Sequence, residues 1–162
     1  MVRCELSVII DSPAKPVTDE RWMQTVVDTT LNIAAMEEPV ELSLVITGDE
    51  TMRRLNREYR GIDDTTDVLS FAMQDKCDRD ASIPFVDPDD DITHLGEVLI
   101  SYPQAQIQAE EHGHPLKREL ALLITHGVLH LLGHDHGDRA SAAKMRAAEK
   151  KVLEELSDGN IL

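Results

Sequence analysis

Residues 116–136, LKRELALLITHGVLHLLGHDH, decide how this chain folds, because they combine a long apolar helix with a cluster of histidines. Pro115 stands at a natural helix start and Gly133 at a natural stop. His126 and His130 are four residues apart, so their side chains lie on one helical face, one turn from each other. That spacing allows two imidazoles to reach one metal ion.

The glycine after this helix can return a third ligand to the same point. Gly133 can adopt a positive φ and reverse the chain. His134 follows at once and is a competing third ligand, or a fourth one. We favour His136, because two further residues give it the reach to swing back. His134 would then face the substrate or lie behind the ligands, and Asp135 could hold a histidine N–H or a bound water.

The pattern HxxxHxxGxxH matches the ligand spacing of the metzincin motif HExxHxxGxxH. Three imidazoles favour Zn²⁺, one ion per chain, with a position left open for water or substrate, as in catalytic sites. The glutamate that serves peptidases as general base is replaced here by Gly127, which argues against peptide hydrolysis. Two alternatives stay open: a metallopeptidase-like hydrolase, and a metal that only staples the last two helices together.

The rest of the chain is typical of an α+β protein, with a small mixed sheet of about four strands packed with about five helices. Thr18 is the expected N-cap of the first helix. A length of 162 residues suits a single domain, 1–162. Alternation and capping signals predict strands at 4–11, 40–47, 67–72 and 95–101, and helices at 18–36, 49–59, 103–112, 116–132 and 138–156.

Composition and charge limit the function. The net charge of −15 repels nucleic acid unless positive charge is concentrated locally. Residues 73–94 are polar and acidic, and we interpret them as a long solvated loop. Cys4 and Cys77 match no metal-ligand spacing and indicate reduced thiols, and no apolar run is long enough for a membrane. We therefore expect a soluble, cytoplasmic protein. Aromatic residues make up only 3% of the chain, which predicts little base stacking and weak RNA affinity.

The predicted second helix, DETMRRLNREYR, concentrates positive charge. Arginine binds phosphate through two parallel hydrogen bonds. The alternative is an ordinary solvated helix face. Three of its four arginines form one stripe, and three apolar residues form the stripe expected to face the core; the arginine stripe is Arg53, Arg57 and Arg60, and the apolar stripe is Met52, Leu55 and Tyr59.

Three motifs, HGVLHLLGHDH, LNREYRGIDDTTDVLSF and LGEVLIS, resemble the YbeY family of bacterial rRNA-maturation endoribonucleases, and the resemblance runs from about residue 5 to 155. It implies a zinc-dependent, single-strand-specific endoribonuclease that acts in maturation of the small-subunit rRNA 3′ end and in ribosome quality control. It also implies His126, His130 and His136 as ligands, Arg60 as a contact to substrate phosphate, and a small-subunit ribosomal protein as partner. A non-enzymatic ribosome-assembly factor with a structural metal remains the alternative.

Three positions depart from the family's usual residues. Thr65 stands where proline is common and is expected to loosen a turn, while Glu97 replaces aspartate and keeps the acid. His134 stands where tyrosine is common. Arg60, His134 and Asp135 are the candidate catalytic residues beside the metal.

Overall fold

The computed structural model describes residues 3–11, 19–73, 92–133 and 139–162. These residues form a four-stranded mixed sheet and five helices, which confirms the predicted α+β class and element order. In chain order the elements are β1 (Cys4–Ile10), α1 (Glu20–Ile33), β2 (Val40–Thr47), α2 (Asp49–Arg60), β3 (Val68–Ala72), β4 (Thr93–Ser101), α3 (Tyr102–His112), α4 (Leu116–Leu131) and α5 (Arg139–Asp158).

The sheet has the strand order β1-β2-β4-β3, with β3 at one edge. The strands β1, β2 and β4 run parallel, whereas β3 is antiparallel to β4. Side chains alternate between the two faces, so Val98 and Ile100 of β4 join one core cluster and Leu99 joins the other.

Helices cover both faces of this sheet. The larger core lies beneath α1, α4 and α5, where Leu120, Ile124 and Val128 of α4 are completely buried. Burying each such side chain contributes about 1.5–3 kcal/mol. On the opposite face, Met52 of α2 packs against Leu69 of β3 and Leu99. The edge strand β3 is therefore bordered by α4 on one face and by α2 on the other.

Two helix ends differ in how well the sequence predicted them. The first helix is capped by Asp19, whose carboxylate accepts a hydrogen bond from the backbone N–H of Trp22 at 2.8 Å. The predicted cap, Thr18, was wrong by one residue, because the carboxylate that caps the helix belongs to Asp19; Thr18 itself lies outside the described residues. The helix α4 ends at Leu131, and Gly133 has φ +95°. The helix therefore ends just before Gly133, as its position in the sequence predicted.

The helices in the described part of the chain are all too short or too polar to cross a bilayer. Most of the predicted acidic loop, residues 74–91, lies outside the described residues, as does Cys77.

Candidate active site

Two histidines of α4 face each other across one helical turn. Nε2 of His126 lies 3.2 Å from Nε2 of His130, and the two rings meet edge to face with their centroids 4.7 Å apart. Two nitrogens bound to one tetrahedral zinc ion, each about 2.0–2.1 Å from the metal, would be separated by about 3.3 Å. The observed separation is therefore close to that of two nitrogen ligands of one ion.

A carboxylate from α5 orients the first of these histidines. Nδ1–H of His126 donates a hydrogen bond to Oε1 of Glu149 at 2.7 Å. Since the carboxylate can only accept, this contact places a proton on Nδ1, so that Nε2 is the nitrogen left to bind a metal. Carboxylate–histidine pairs of this kind commonly lie behind metal ligands. Glu149 was not predicted from the sequence, because α5 carries several glutamates and no spacing connects this one with α4.

Gly127 allows α4 to approach the sheet closely. A Cβ atom added at this position would lie 2.5 Å from Cγ1 of Val98 and 3.3 Å from Oγ of Ser70. The Ser70 hydroxyl also donates a hydrogen bond to the Gly127 carbonyl at 3.1 Å. A glutamate at this position would therefore overlap with the sheet at its first side-chain atom.

An open cleft of ≈ 690 Å³ brings the two histidines together with an arginine. It runs along the edge strand β3, between α4 and the end of α2. Arg60, Ser70, Glu97, His126 and His130 are among the residues that line it. Within the described ranges, no carboxylate forms an ion pair with Arg60, whose side chain is exposed. Three sequence-predicted site residues, Arg60, His126 and His130, thus share one cleft.

The predicted arginine stripe divides into two parts. Arg53 donates from Nε and Nη2 to the two carboxylate oxygens of Asp63 at 2.9 and 3.2 Å, and Nη1 of Arg57 lies 3.9 Å from the same carboxylate. The hydrogen bond from Arg53 is the main reason that the pKa of Asp63 falls below its usual range. The stripe suggested that all three arginines act together, but only Arg60 lines the cleft. Arg53 and Arg57 therefore do not contribute to it.

The turn between α2 and β3 is held by side-chain hydrogen bonds. The Thr65 hydroxyl donates to Oδ1 of Asp49 at 2.9 Å, and its backbone N–H donates to Oδ1 of Asp64 at 2.8 Å. Ser101 donates to the same Asp49 oxygen at 2.8 Å. The expectation that Thr65 loosens this turn was wrong, because its hydroxyl ties the turn to the start of α2.

Tyr59 was wrongly predicted to face the core. Met52 is completely buried as expected, but Tyr59 is 63% exposed and lines the cleft. The buried position on this helix is taken by Asn56, whose Nδ2 donates to the Asp64 carbonyl at 2.9 Å. The Tyr59 ring instead contacts Phe71 of β3, with ring centroids 5.0 Å apart and an interplanar angle of 59°. The last turn of α2 borders the cleft, which explains the exposure.

A second group of side chains could also hold a metal ion. Ligand atoms of His112, His114 and Glu119 all lie within 4.8 Å of one another, at the junction of α3 and α4. One Glu119 oxygen, Oε2, is 3.1 Å from Nδ1 of His112 and 2.5 Å from Nε2 of His114. Glu119 is almost completely buried, so the two imidazoles satisfy a carboxylate that burial would otherwise penalise. None of the three lines the cleft.

Three predicted site residues, His134, Asp135 and His136, lie outside the described residues. Their placement as a third ligand and as candidate catalytic groups therefore stays a prediction.

The chain is similar in sequence to proteins of one family. The family described as Endoribonuclease YbeY matches residues 10–157. A protein from Dehalococcoides mccartyi with that name is 41% identical over 156 residues, which is 95% of this chain and 98% of the relative. One from Heliobacterium modesticaldum is 46% identical over 144 residues, 85% of each chain. The solution structure of TM1509 from Thermotoga maritima has the same fold, with a TM-score of 0.59 at 22% identity over 96% of this chain and 91% of that one.

Proposed function

Because the chain belongs to the Endoribonuclease YbeY family, we propose that it is a zinc-dependent endoribonuclease acting on single-stranded RNA. One observation carries the proposal beyond the family: two imidazole nitrogens 3.2 Å apart share a cleft with an arginine that no described carboxylate pairs with. A cleft with ligands for a cation and a guanidinium for phosphate suits cleavage of a phosphodiester.

We assign one Zn²⁺ ion to His126, His130 and His136. The Glu149 hydrogen bond supports this assignment, because it fixes the tautomer in which Nε2 of His126 can bind a metal. The group at His112, His114 and Glu119 is the weaker candidate for a catalytic ion, since its carboxylate already accepts from both rings and it lies away from the cleft. A zinc ion bound in the cleft would supply Lewis-acid charge and activate a hydroxyl nucleophile near neutral pH.

The chain's own residues have separate tasks in this proposal. Arg60 binds the scissile phosphate and neutralises the charge that grows on its non-bridging oxygens. His134 and Asp135 follow the helix and are candidates for proton transfer or for contact with the substrate. In a chain of net charge −15, Arg60 provides local attraction for RNA while the remaining surface repels it. The nucleophile is either water or the neighbouring ribose 2′-OH.

The surroundings of Gly127 argue against the peptidase alternative. The general base of HExxH would have to begin from a Cβ atom 2.5 Å from a fully buried Val98 methyl group. A metal ion with only a structural role would not need an open cleft lined by Arg60. These two points favour the nuclease over both alternatives.

We also propose the biological setting. A single-domain nuclease spanning residues 1–162 would process the 3′ end of small-subunit rRNA in the cytoplasm and act in ribosome quality control. A ribosomal small-subunit protein would position the substrate, because one arginine in an acidic chain provides little affinity for RNA by itself.

The test is cleavage of single-stranded rRNA fragments by the zinc-loaded protein, with casein as the peptidase substrate. His130→Ala and Arg60→Glu should each abolish RNA cleavage. Arg54→Glu is the matched control, because Arg54 lies on the same helix, is exposed, and does not line the cleft. His112→Ala should leave cleavage intact. Casein cleavage, or RNA cleavage that survives both cleft substitutions, would contradict the proposal. Unfolding on chelation without RNA cleavage would favour the structural-metal alternative.

A further inference from the structure

The cleft has an aromatic wall that the metal site and Arg60 do not use. Tyr59 is 63% exposed, more than any other large hydrophobic residue in the described part of the chain. It immediately precedes Arg60, and both line the same cleft. Phe71 of β3 also lines the cleft and supports the Tyr59 ring from the sheet. Two of the five aromatic residues of the chain therefore meet beside the proposed reaction centre.

Tyr59 and Phe71 form a binding surface that is already ordered before a ligand arrives. Phe71 packs against the smaller core of Met52, Leu69 and Leu99, so its position is fixed by the sheet. The tilted contact, with centroids 5.0 Å apart, limits how the Tyr59 ring can turn. A ring held in place loses little conformational entropy when a ligand covers it. Apolar surface left exposed inside a cleft is typical of a binding site.

We propose that Tyr59, supported by Phe71, stacks against one unpaired base of an RNA strand whose phosphate is bound by Arg60. This inference rests on the proposed function and names a base subsite within it. Stacking on an aromatic ring requires a base whose face is open, and bases in a duplex have both faces covered by their neighbours. The subsite therefore selects for single strands, and it tolerates any base, since every base has a flat π-face.

The sequence alone predicted the opposite. A low aromatic content indicated little base stacking, but composition does not record where the few aromatic rings lie. The fold gathers Tyr59 and Phe71 at the edge strand, next to the only arginine of the stripe that faces the cleft.

The test compares substrates and variants in one cycle. Cleavage of a short single-stranded RNA is measured as kcat/KM, together with a set of strands that each lack one base. In the wild type, removing the base at one position should lower kcat/KM by roughly 5- to 150-fold, the range expected for loss of one stacked base. Tyr59→Ala should lose a similar factor on the intact strand and become insensitive to the missing base at that position.

Three further variants separate stacking from other effects. Tyr59→Phe keeps the ring and should keep the sensitivity to the missing base. Tyr59→Trp should also keep it, and its indole emission should be quenched by RNA, whereas Trp22 is buried and donates a hydrogen bond to the Ile161 carbonyl. Ile107→Ala truncates another exposed apolar residue, one that does not line the cleft, and should cleave like the wild type.

The outcomes are distinct. The stacking subsite is overturned if Tyr59→Ala cleaves the intact strand like the wild type, or if its cleavage still responds to the missing base. In either case the nuclease proposal stands. Loss of binding to a protein partner with unchanged RNA cleavage likewise overturns the stacking subsite and makes Tyr59 a protein contact. Absence of RNA cleavage in the wild type overturns the proposed function itself.

Discussion

Gly127→Ala should destabilise this protein, although glycine-to-alanine changes inside helices usually stabilise. The usual gain in helix propensity is about 1 kcal/mol. Here the added Cβ would lie 2.5 Å from Cγ1 and 3.1 Å from Cγ2 of Val98. Val98 is completely buried in a central strand, and a β-branched side chain has few other rotamers available.

The steric cost decides whether Gly127→Ala raises or lowers the free energy of unfolding. Overpacking a core by one methyl group costs about 1–3 kcal/mol, and an overlap of this depth against a stiff side chain belongs at the upper end. Subtracting the propensity gain leaves a net loss of about 2 kcal/mol. For a chain of this length the melting temperature should fall by about 4–8 °C.

The assay is urea-induced unfolding followed by circular dichroism, with a double variant that removes the clash. Val98→Ala combined with Gly127→Ala should be more stable than the sum of the two single changes predicts, by about 3 kcal/mol, because the double variant removes the whole steric cost and keeps the gain in helix propensity. Gly48→Ser is the control, since its Cβ would have no neighbour within 4 Å and its hydroxyl can cap α2. If Gly127→Ala unfolds at the same or a higher urea concentration than the wild type, the close approach of α4 to the sheet is wrong.

Three further predictions concern individual side chains. Glu149→Ala should weaken zinc binding by about 10- to 100-fold in a chelator competition, because His126 loses the partner that fixes its tautomer; unchanged affinity would mean that Glu149 does not orient the ligand. The bond from Arg53 lowers the pKa of Asp63, so the pair stabilises the fold above the usual aspartate range and loses its effect as the pH falls through the lowered value. Asp63→Asn should therefore unfold slightly more easily at neutral pH and match the wild type in acid, and a difference that grows in acid would refute the pairing. Burial first, and then the charge of Asp28, raises the pKa of the Cys4 thiol to about 11, so native Cys4 should react with iodoacetamide at pH 8 about 100-fold more slowly than in urea; equal rates would show that the thiol is not buried.

Local signals in the sequence predicted most of the fold. The strand at 40–47 and the helix start at residue 116 were placed at the observed bounds, because alternation and a proline before the helix are local properties. The strand order was not predicted, since pairing β4 between β2 and β3 depends on contacts between distant parts of the chain.

The site was predicted only where its residues share one helix. The helical spacing of His126 and His130 predicted that their side chains lie together, and in the structure their Nε2 atoms are 3.2 Å apart. Glu149 comes from another helix and has no spacing that reveals it. Tyr59 followed the apolar periodicity of α2, but periodicity cannot show that the last turn of a helix extends beside an open cleft.

The most direct test of the metal centre is an anomalous-difference map, recorded at the zinc absorption edge from a crystal of the zinc-loaded protein. We predict one strong peak about 2.0–2.1 Å from Nε2 of both His126 and His130, with a nitrogen of His136 as the third protein ligand. A peak at His112, His114 and Glu119 with none in the cleft would contradict this, and so would an ion in the cleft that neither His126 nor His130 touches.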